Sequence, residues 1–108
     1  MSEKREQWFI SDELKKEYID TLLPELKLLR AKANVSQDDL AKILSISRQT
    51  YCQIENGNKE MSWSIYLSLI SFFNAIEETS KLLTLLNIYP NQFFEQIIKK
   101  SKETKIRL

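Results

Sequence analysis

The sequence predicts an all-α fold. A single Gly and two Pro leave almost no material for hairpin turns, while helix-favouring Leu, Lys, Glu, Gln and Ile are plentiful. Cap residues also stand directly ahead of apolar-periodic runs, at Ser11 or Asp12, Ser36, Ser47 and Ser62. A hydroxyl or carboxylate at such a position accepts from a backbone N–H that the first helical turn leaves unpaired. With 108 residues, 43% of them apolar, the chain can build one domain around one core.

Residues 1–11 read as an arm whose Trp8, Phe9 and Ile10 are too apolar for water and need a surface on the same domain or on a partner. A first helix then runs to about Leu23, with Leu14, Tyr18, Ile19 and Leu22 on one stripe. Pro24 suits the first turn of the next helix, where its missing N–H is not needed. That helix reaches Ala33 and groups Leu26, Leu29 and Arg30, and Asn34 is its expected left-handed C-cap. Ser36 caps a third helix, whose first turn carries Asp38 and Asp39, favourable against the helix dipole. Leu40, Ala41 and Leu44 form its buried face. After the turn Ser45-Ile46-Ser47, a fourth helix runs to about Glu55 with Tyr51 and Ile54 inward, and Asn56-Gly57 stops it.

The segment Trp63–Ile76 is apolar nearly all round and holds no charge between Glu60 and Glu77, so it must be covered on more than one side. Leu82, Leu83, Leu85 and Leu86 form a further apolar patch after the polar interruption at 77–81. Asn87 and Pro90 mark a break, and a last helix from about Asn91 to Lys100 is expected to turn Phe93, Phe94, Ile97 and Ile98 inward. The tail carries Lys99, Lys100, Lys102, Lys105 and Arg107 against Glu95 and Glu103, a charge run that more often marks a solvated end than a DNA contact. The expected organisation is an arm and helix over 1–23, a central domain over 24–76, and a helical extension with a basic tail over 77–108.

Composition excludes several classes. The formal net charge of +1 gives no global signal for nucleic acid, so any DNA contact must come from local placement of charge. Cys52 is alone, which rules out an intramolecular disulfide and a Cys-based zinc set. The absence of His removes Ser-His and Cys-His nucleophile pairs and the usual general base. An enzyme is therefore the least expected class, and no metal or cofactor is implied. No apolar stretch is long enough for a membrane span and no signal peptide is visible, which fits a reducing cytoplasmic setting.

The most telling stretch is Ser36 to Gly57, SQDDLAKILSISRQTYCQIENG, two short helices joined by a tight turn. The polar start of its second helix, Ser47-Arg48-Gln49-Thr50, suits a DNA major groove. The markers L-R-x-x-x-x-x-S-Q at Leu29–Gln37, D-L-A-x-x-L at Asp39–Leu44, S-R-Q-T at Ser47–Thr50 and I-E-N-G at Ile54–Gly57 follow in order. Together they make Leu26 to Phe73 resemble the five-helix, lambda-repressor-like DNA-binding domain of the Cro and phage-repressor (XRE) family. The resemblance implies that residues 47–55 form a recognition helix. Arg48 can grip guanine O6 and N7, Gln49 can grip adenine N6 and N7, and Gln53 lies one turn along on the same face. Gln37, Ser47 and Thr50 are then expected on the DNA backbone, with Asn56, Asn58 and Lys59 as further phosphate candidates and Lys32 and Lys42 as weaker ones. Arg30 and Glu55 occupy the positions of a structural ion pair. Cys52 is expected to face outward near the DNA or to pack as a small residue.

Three departures from the family pattern stand out. Ser45 replaces the usual Gly of the turn and is expected at positive φ, Met61 replaces a common Pro, and Glu60 replaces a residue that is often basic. The resemblance implies a transcriptional regulator, a repressor that binds a pseudo-palindromic operator in double-stranded DNA as a homodimer. Phe72, Ile76, Leu83, Leu86, Phe93 and Phe94 are the candidate dimer face; alternatively they fill the core of the monomer. Two rival readings are an antitoxin-type regulator that binds a toxin or other protein partner, and an interaction module that no longer binds DNA. The near-zero net charge and Glu60 favour the last slightly.

Overall fold

A computed structural model describes residues 10–104, leaving Trp8, Phe9, Lys105 and Arg107 outside the described residues. Within them the chain runs α1 (Asp12–Leu22), a 3-10 turn (Leu23–Glu25), α2 (Leu26–Ala33), α3 (Gln37–Leu44), α4 (Arg48–Glu55), α5 (Trp63–Ala75), α6 (Glu77–Leu85) and α7 (Asn91–Thr104). The fold is all-α, and none of these helices is long and apolar enough to cross a membrane.

The caps form as local chemistry requires. Ser11 Oγ accepts from the Leu14 amide at 3.2 Å, Ser47 Oγ from Thr50 at 3.0 Å, and Ser62 Oγ from Ile65 at 3.2 Å. Ser36 goes further, because Asp39 reaches back to the Ser36 amide at 2.9 Å while Ser36 Oγ accepts from Asp39 at 3.0 Å. This reciprocal box satisfies two otherwise orphaned donors. Asn34 and Ser45 close α2 and α3 in the left-handed region, at φ 57° and 59°. Pro24 lies in the 3-10 turn instead of opening α2, so α1 and α2 are joined by a single tight turn.

The polar interruption expected at 77–81 is the opening of α6. Only Ile76 leaves helical geometry, at φ −98° and ψ 127°. The fully enclosed Thr79 donates its hydroxyl to Phe73 O at 2.6 Å, with Ile76 O at 3.2 Å, so it satisfies carbonyls that the end of α5 leaves open. Glu77 and Glu78 sit in the first turn of α6, where the dipole favours them.

Leu22, Leu26, Leu29, Leu40, Tyr51, Tyr66, Leu69, Phe73 and Leu83 are completely enclosed. α3 packs on α4, α6 on both α5 and α2, and α1 on α5. Trp63 and Tyr66 stack at 4.8 Å, Tyr18 of α1 lies 6.2 Å from each, and Phe93 of α7 meets Trp63 edge-on at 5.5 Å. These contacts from α1, α6 and α7 explain why α5 is apolar all round.

Two residues expected at a dimer face belong to this core, since Leu83 is 0% and Phe93 6% exposed. Phe72, Ile76 and Phe94 are half-buried, and Leu86 is exposed. Ile98, expected inward, is 54% exposed. The inward stripe of α7 runs through Phe93 and Ile97, and one further residue turns a side chain about 100° away. Met61, in place of a common Pro, fills the core.

Two substitutions check this packing. Leu83→Ala should cost about 2–5 kcal/mol in urea unfolding without changing the oligomeric state seen by sedimentation. Ser45→Gly should stabilise by about 1 kcal/mol, because only the side chain makes its left-handed φ unfavourable.

Candidate nucleic-acid interface

The α3–α4 pair is set by its turn. The Ser45 amide donates to Lys42 O at 3.2 Å and the Ile46 amide to Ala41 O at 3.0 Å, which closes the end of α3. Ser47 then starts α4 in a new direction. Tyr51, Ile54 and Glu55 of α4 are buried, whereas Arg48, Gln49, Gln53 and Asn56 are exposed. Gln49, Gln53 and Asn56 recur at the spacing of one helical face, with Arg48 beside them at the helix start. None of these four side chains has a hydrogen-bond or ion-pair partner among the described residues.

The opposite side of α4 is locked by a polar network. Arg30 Nε donates to Glu55 Oε1 at 2.8 Å and Nη2 to Oε2 at 3.1 Å, so the expected ion pair is present and bidentate. The Tyr51 hydroxyl donates to Oε1 at 2.9 Å and Gln37 Nε2 to Oε2 at 2.7 Å. The Glu55 side chain is only 1% exposed and that of Arg30 19%. Burial opposes ionisation of Glu55, but the bonds from Arg30, Gln37 and Tyr51 and the Arg30 charge outweigh it. The carboxyl therefore titrates below the ordinary range. Burial, reinforced by Glu55, pushes the Tyr51 phenol up.

The expected backbone contacts divide. Gln37 turns inward: besides its bond to Glu55, its Oε1 accepts from Cys52 Sγ at 3.1 Å. Cys52 is half-buried and faces α3, not solvent. Ser47 Oγ donates to Thr50 Oγ1 at 2.9 Å, which leaves the Thr50 proton without an acceptor among the described residues. Beyond α4 the chain doubles back through Gly57 at φ 80°, and the Asn58 and Lys59 amides donate to Gln53 O at 2.8 and 3.2 Å. A side chain at position 57 would be strained by that φ. The side chains of Asn56, Asn58 and Lys59 stand in solvent close to the α4 face. Lys42 pairs with Asp38 at 3.2 Å on an exposed surface, and Lys32 is exposed. The groove between α1 and the 57–61 loop, about 600 Å³, carries Lys15, Lys16 and Lys59 against Asp12, Asp20 and Glu60, so its charge is balanced.

Sequence reasoning missed the hydroxyl of Tyr51 and the thiol of Cys52 as donors. The signal for Tyr51 was its spacing, four residues before Glu55 on the same helix. For Cys52 the partner lies on another helix, and nothing local points to it.

Residues 22–82 match the family described as a helix-turn-helix domain. Over 49 residues the chain is 43% identical to an uncharacterized HTH-type transcriptional regulator of Methanocaldococcus jannaschii, covering 45% of this chain and 74% of that protein. No solved structure matches the chain.

Because the folded pKa of Glu55 lies below its unfolded value, its stabilisation is complete above about pH 5 and is lost as pH falls through the folded pKa. Glu55→Gln should make the acid limb of stability against pH shallower by about one proton, and should cost about 3 kcal/mol at neutral pH. Urea unfolding at several pH values measures both.

Proposed function

We propose, for a chain that belongs to the helix-turn-helix domain family, that α4 reads a DNA operator from the major groove and that the protein represses transcription by occupying that site. The protein is a DNA-binding transcriptional regulator. One observation carries the finer reading. Arg48, Gln49, Gln53 and Asn56 form an exposed polar row with no internal partners, on a helix whose other side is anchored in the core. Donors with no partner inside the protein exchange water for DNA on binding without breaking an internal hydrogen bond.

Arg48 meets guanine and Gln49 adenine, each through two parallel hydrogen bonds, and Gln53 extends the contact by one turn. Thr50, Asn56, Asn58 and Lys59 hold phosphates on either side, and Ser47 orients Thr50. Such contacts set register but carry no sequence information. Glu60 beside Lys59 weakens the local attraction, so a single copy binds modestly and two copies on a pseudo-palindromic site bind well. Leu85 at 79% and Ile98 at 54% exposure, with Leu86 and the half-buried Phe72, Ile76 and Phe94, supply the apolar face for a homodimer. The same exposed side chains favour a second reading, in which this face takes a toxin-like protein partner while α4 still reads the operator. In both readings the regulator works on cytoplasmic DNA.

The test is fluorescence anisotropy with the duplex upstream of the protein's own gene and with duplexes enriched by the protein from a random pool, across a salt series. Arg48→Ala and Gln49→Ala should each weaken specific binding by about 1–3 kcal/mol; Gln49→Ala should leave random-sequence binding nearly unchanged, whereas Arg48→Ala, which also removes a cation, should lower it to a smaller extent. Lys59→Ala should weaken both alike and lower the log–log salt slope by about one. A folded protein that enriches no sequence and prefers no duplex over scrambled DNA at low salt would end the operator reading.

A further inference from the structure

We propose that Gln37 is a positioning residue for the DNA-reading face, setting the rotation of α4 from the side that faces α3, instead of the phosphate contact its sequence position suggests. The inference rests on the reading of α4 as the helix that enters the groove.

The geometry is a two-handed clamp. Gln37 is the first residue of α3, and the Ser36–Asp39 capping box fixes the backbone there. Its amide nitrogen donates to Glu55 at 2.7 Å and its amide oxygen accepts from Cys52 at 3.1 Å. Cys52 and Glu55 are three residues apart and lie on one side of α4. Cys52 is three residues from Gln49 and four from Asn56, so the clamp borders the exposed row. A grip at two points along the axis holds both the roll and the tilt of α4, whereas a grip at one point leaves the tilt free. A roll of about 20° would carry a side-chain tip roughly 6 Å from the axis through roughly 2 Å. Bidentate base contacts tolerate only a few tenths of an ångström.

Burial of Tyr51 and Ile54 seats α4, but the other polar tie from outside the helix acts at one residue. Arg30 reaches α4 only at Glu55, at the C-terminal end of the helix. Cys52 lies one turn earlier, adjacent to Gln53 and three residues from Gln49, where the bases would be read. The bond from Gln37 holds the middle of α4 through a polar group on α3. A primary amide offers a donor to a carboxylate and an acceptor to a thiol in one planar unit. Glu at this position would oppose Glu55, and Met would fill the space without either bond. To reach a phosphate, Gln37 Nε2 would have to leave a carboxylate buried with one donor fewer.

Four variants of the full-length protein, Gln37→Met, Cys52→Ala, Cys52→Ser and Lys59→Ala as a phosphate control, separate the roles. The readouts are affinity for an enriched duplex, affinity for a scrambled one, and the salt slope, all well below the unfolding temperature. Positioning predicts that Gln37→Met loses about tenfold in specific affinity, with scrambled-duplex affinity and salt slope unchanged. Cys52→Ala should lose about threefold, and Cys52→Ser, which keeps a donor for Gln37, should recover near wild-type discrimination. If Gln37→Met instead lowers both affinities alike, with the salt slope unchanged because a neutral amide releases no counterion, Gln37 is a phosphate contact and the proposal fails. Hydrogen exchange of the free protein gives a readout independent of DNA. Amides of Arg48–Glu55 should exchange faster in Gln37→Met and Cys52→Ala but not in Cys52→Ser, and unchanged rates in all three overturn the clamp. Faster exchange in a protein that prefers no duplex would sink the operator reading and leave the clamp standing.

Discussion

Four hydrogen bonds converge on the Glu55 carboxylate, two from Arg30 and one each from Tyr51 and Gln37, and most of what the interface can do depends on them. A carboxylate with a 1% exposed side chain would be strongly unfavourable without them. Attraction to Arg30 alone roughly balances the loss of hydration for both partners, and the two neutral donors help to make the arrangement tenable. The bonds come from α2, α3 and α4, so one charge ties together the helices that hold the exposed polar row in place. The network favours one arrangement of these helices over others more than it adds net stability.

That restraint matters because α4 is short. A helix of eight residues has little stability of its own in water and exists here because Tyr51 and Ile54 are buried and Glu55 is held. Its outer side is thereby free to carry polar residues chosen for contact instead of folding. The local cap at Ser47 and the backbone doubling at Gly57 confine both ends. Side chains on a rigid element lose less freedom on binding than those on a loop.

A different physics holds the rest of the molecule. Tyr18, Trp63, Tyr66 and Phe93 bring α1, α5 and α7 together through ring packing, in which area and shape count more than direction. The Tyr66 hydroxyl is buried without a hydrogen-bond partner among the described residues, and burial pushes its phenol up. Stacking on Trp63 at 4.8 Å recovers part of that cost. α1, α6 and α7 thus add to the core of the other helices through Leu22, Leu83 and Phe93, while Leu85 and Ile98 stay exposed.

By itself the sequence determined the helices other than α6, their serine caps and the face that α4 presents. A Ser ahead of an apolar run makes its bond within three residues, and Asn34 and Ser45 take the left-handed turn that the chain direction demands. Arg30 and Glu55 could be paired only through the family resemblance, since they lie 25 residues apart. Tertiary structure decided what depends on which helix comes alongside. It placed Leu83 and Phe93 in the core, turned Ile98 out, made the polar stretch after Ile76 the start of α6, and drew Gln37 away from solvent toward Cys52 and Glu55. Capping and turn preferences are short-range, so they can be read along the chain. The partner of a side chain long enough to reach either solvent or a neighbouring helix is set by distances that exist only once the helices have packed.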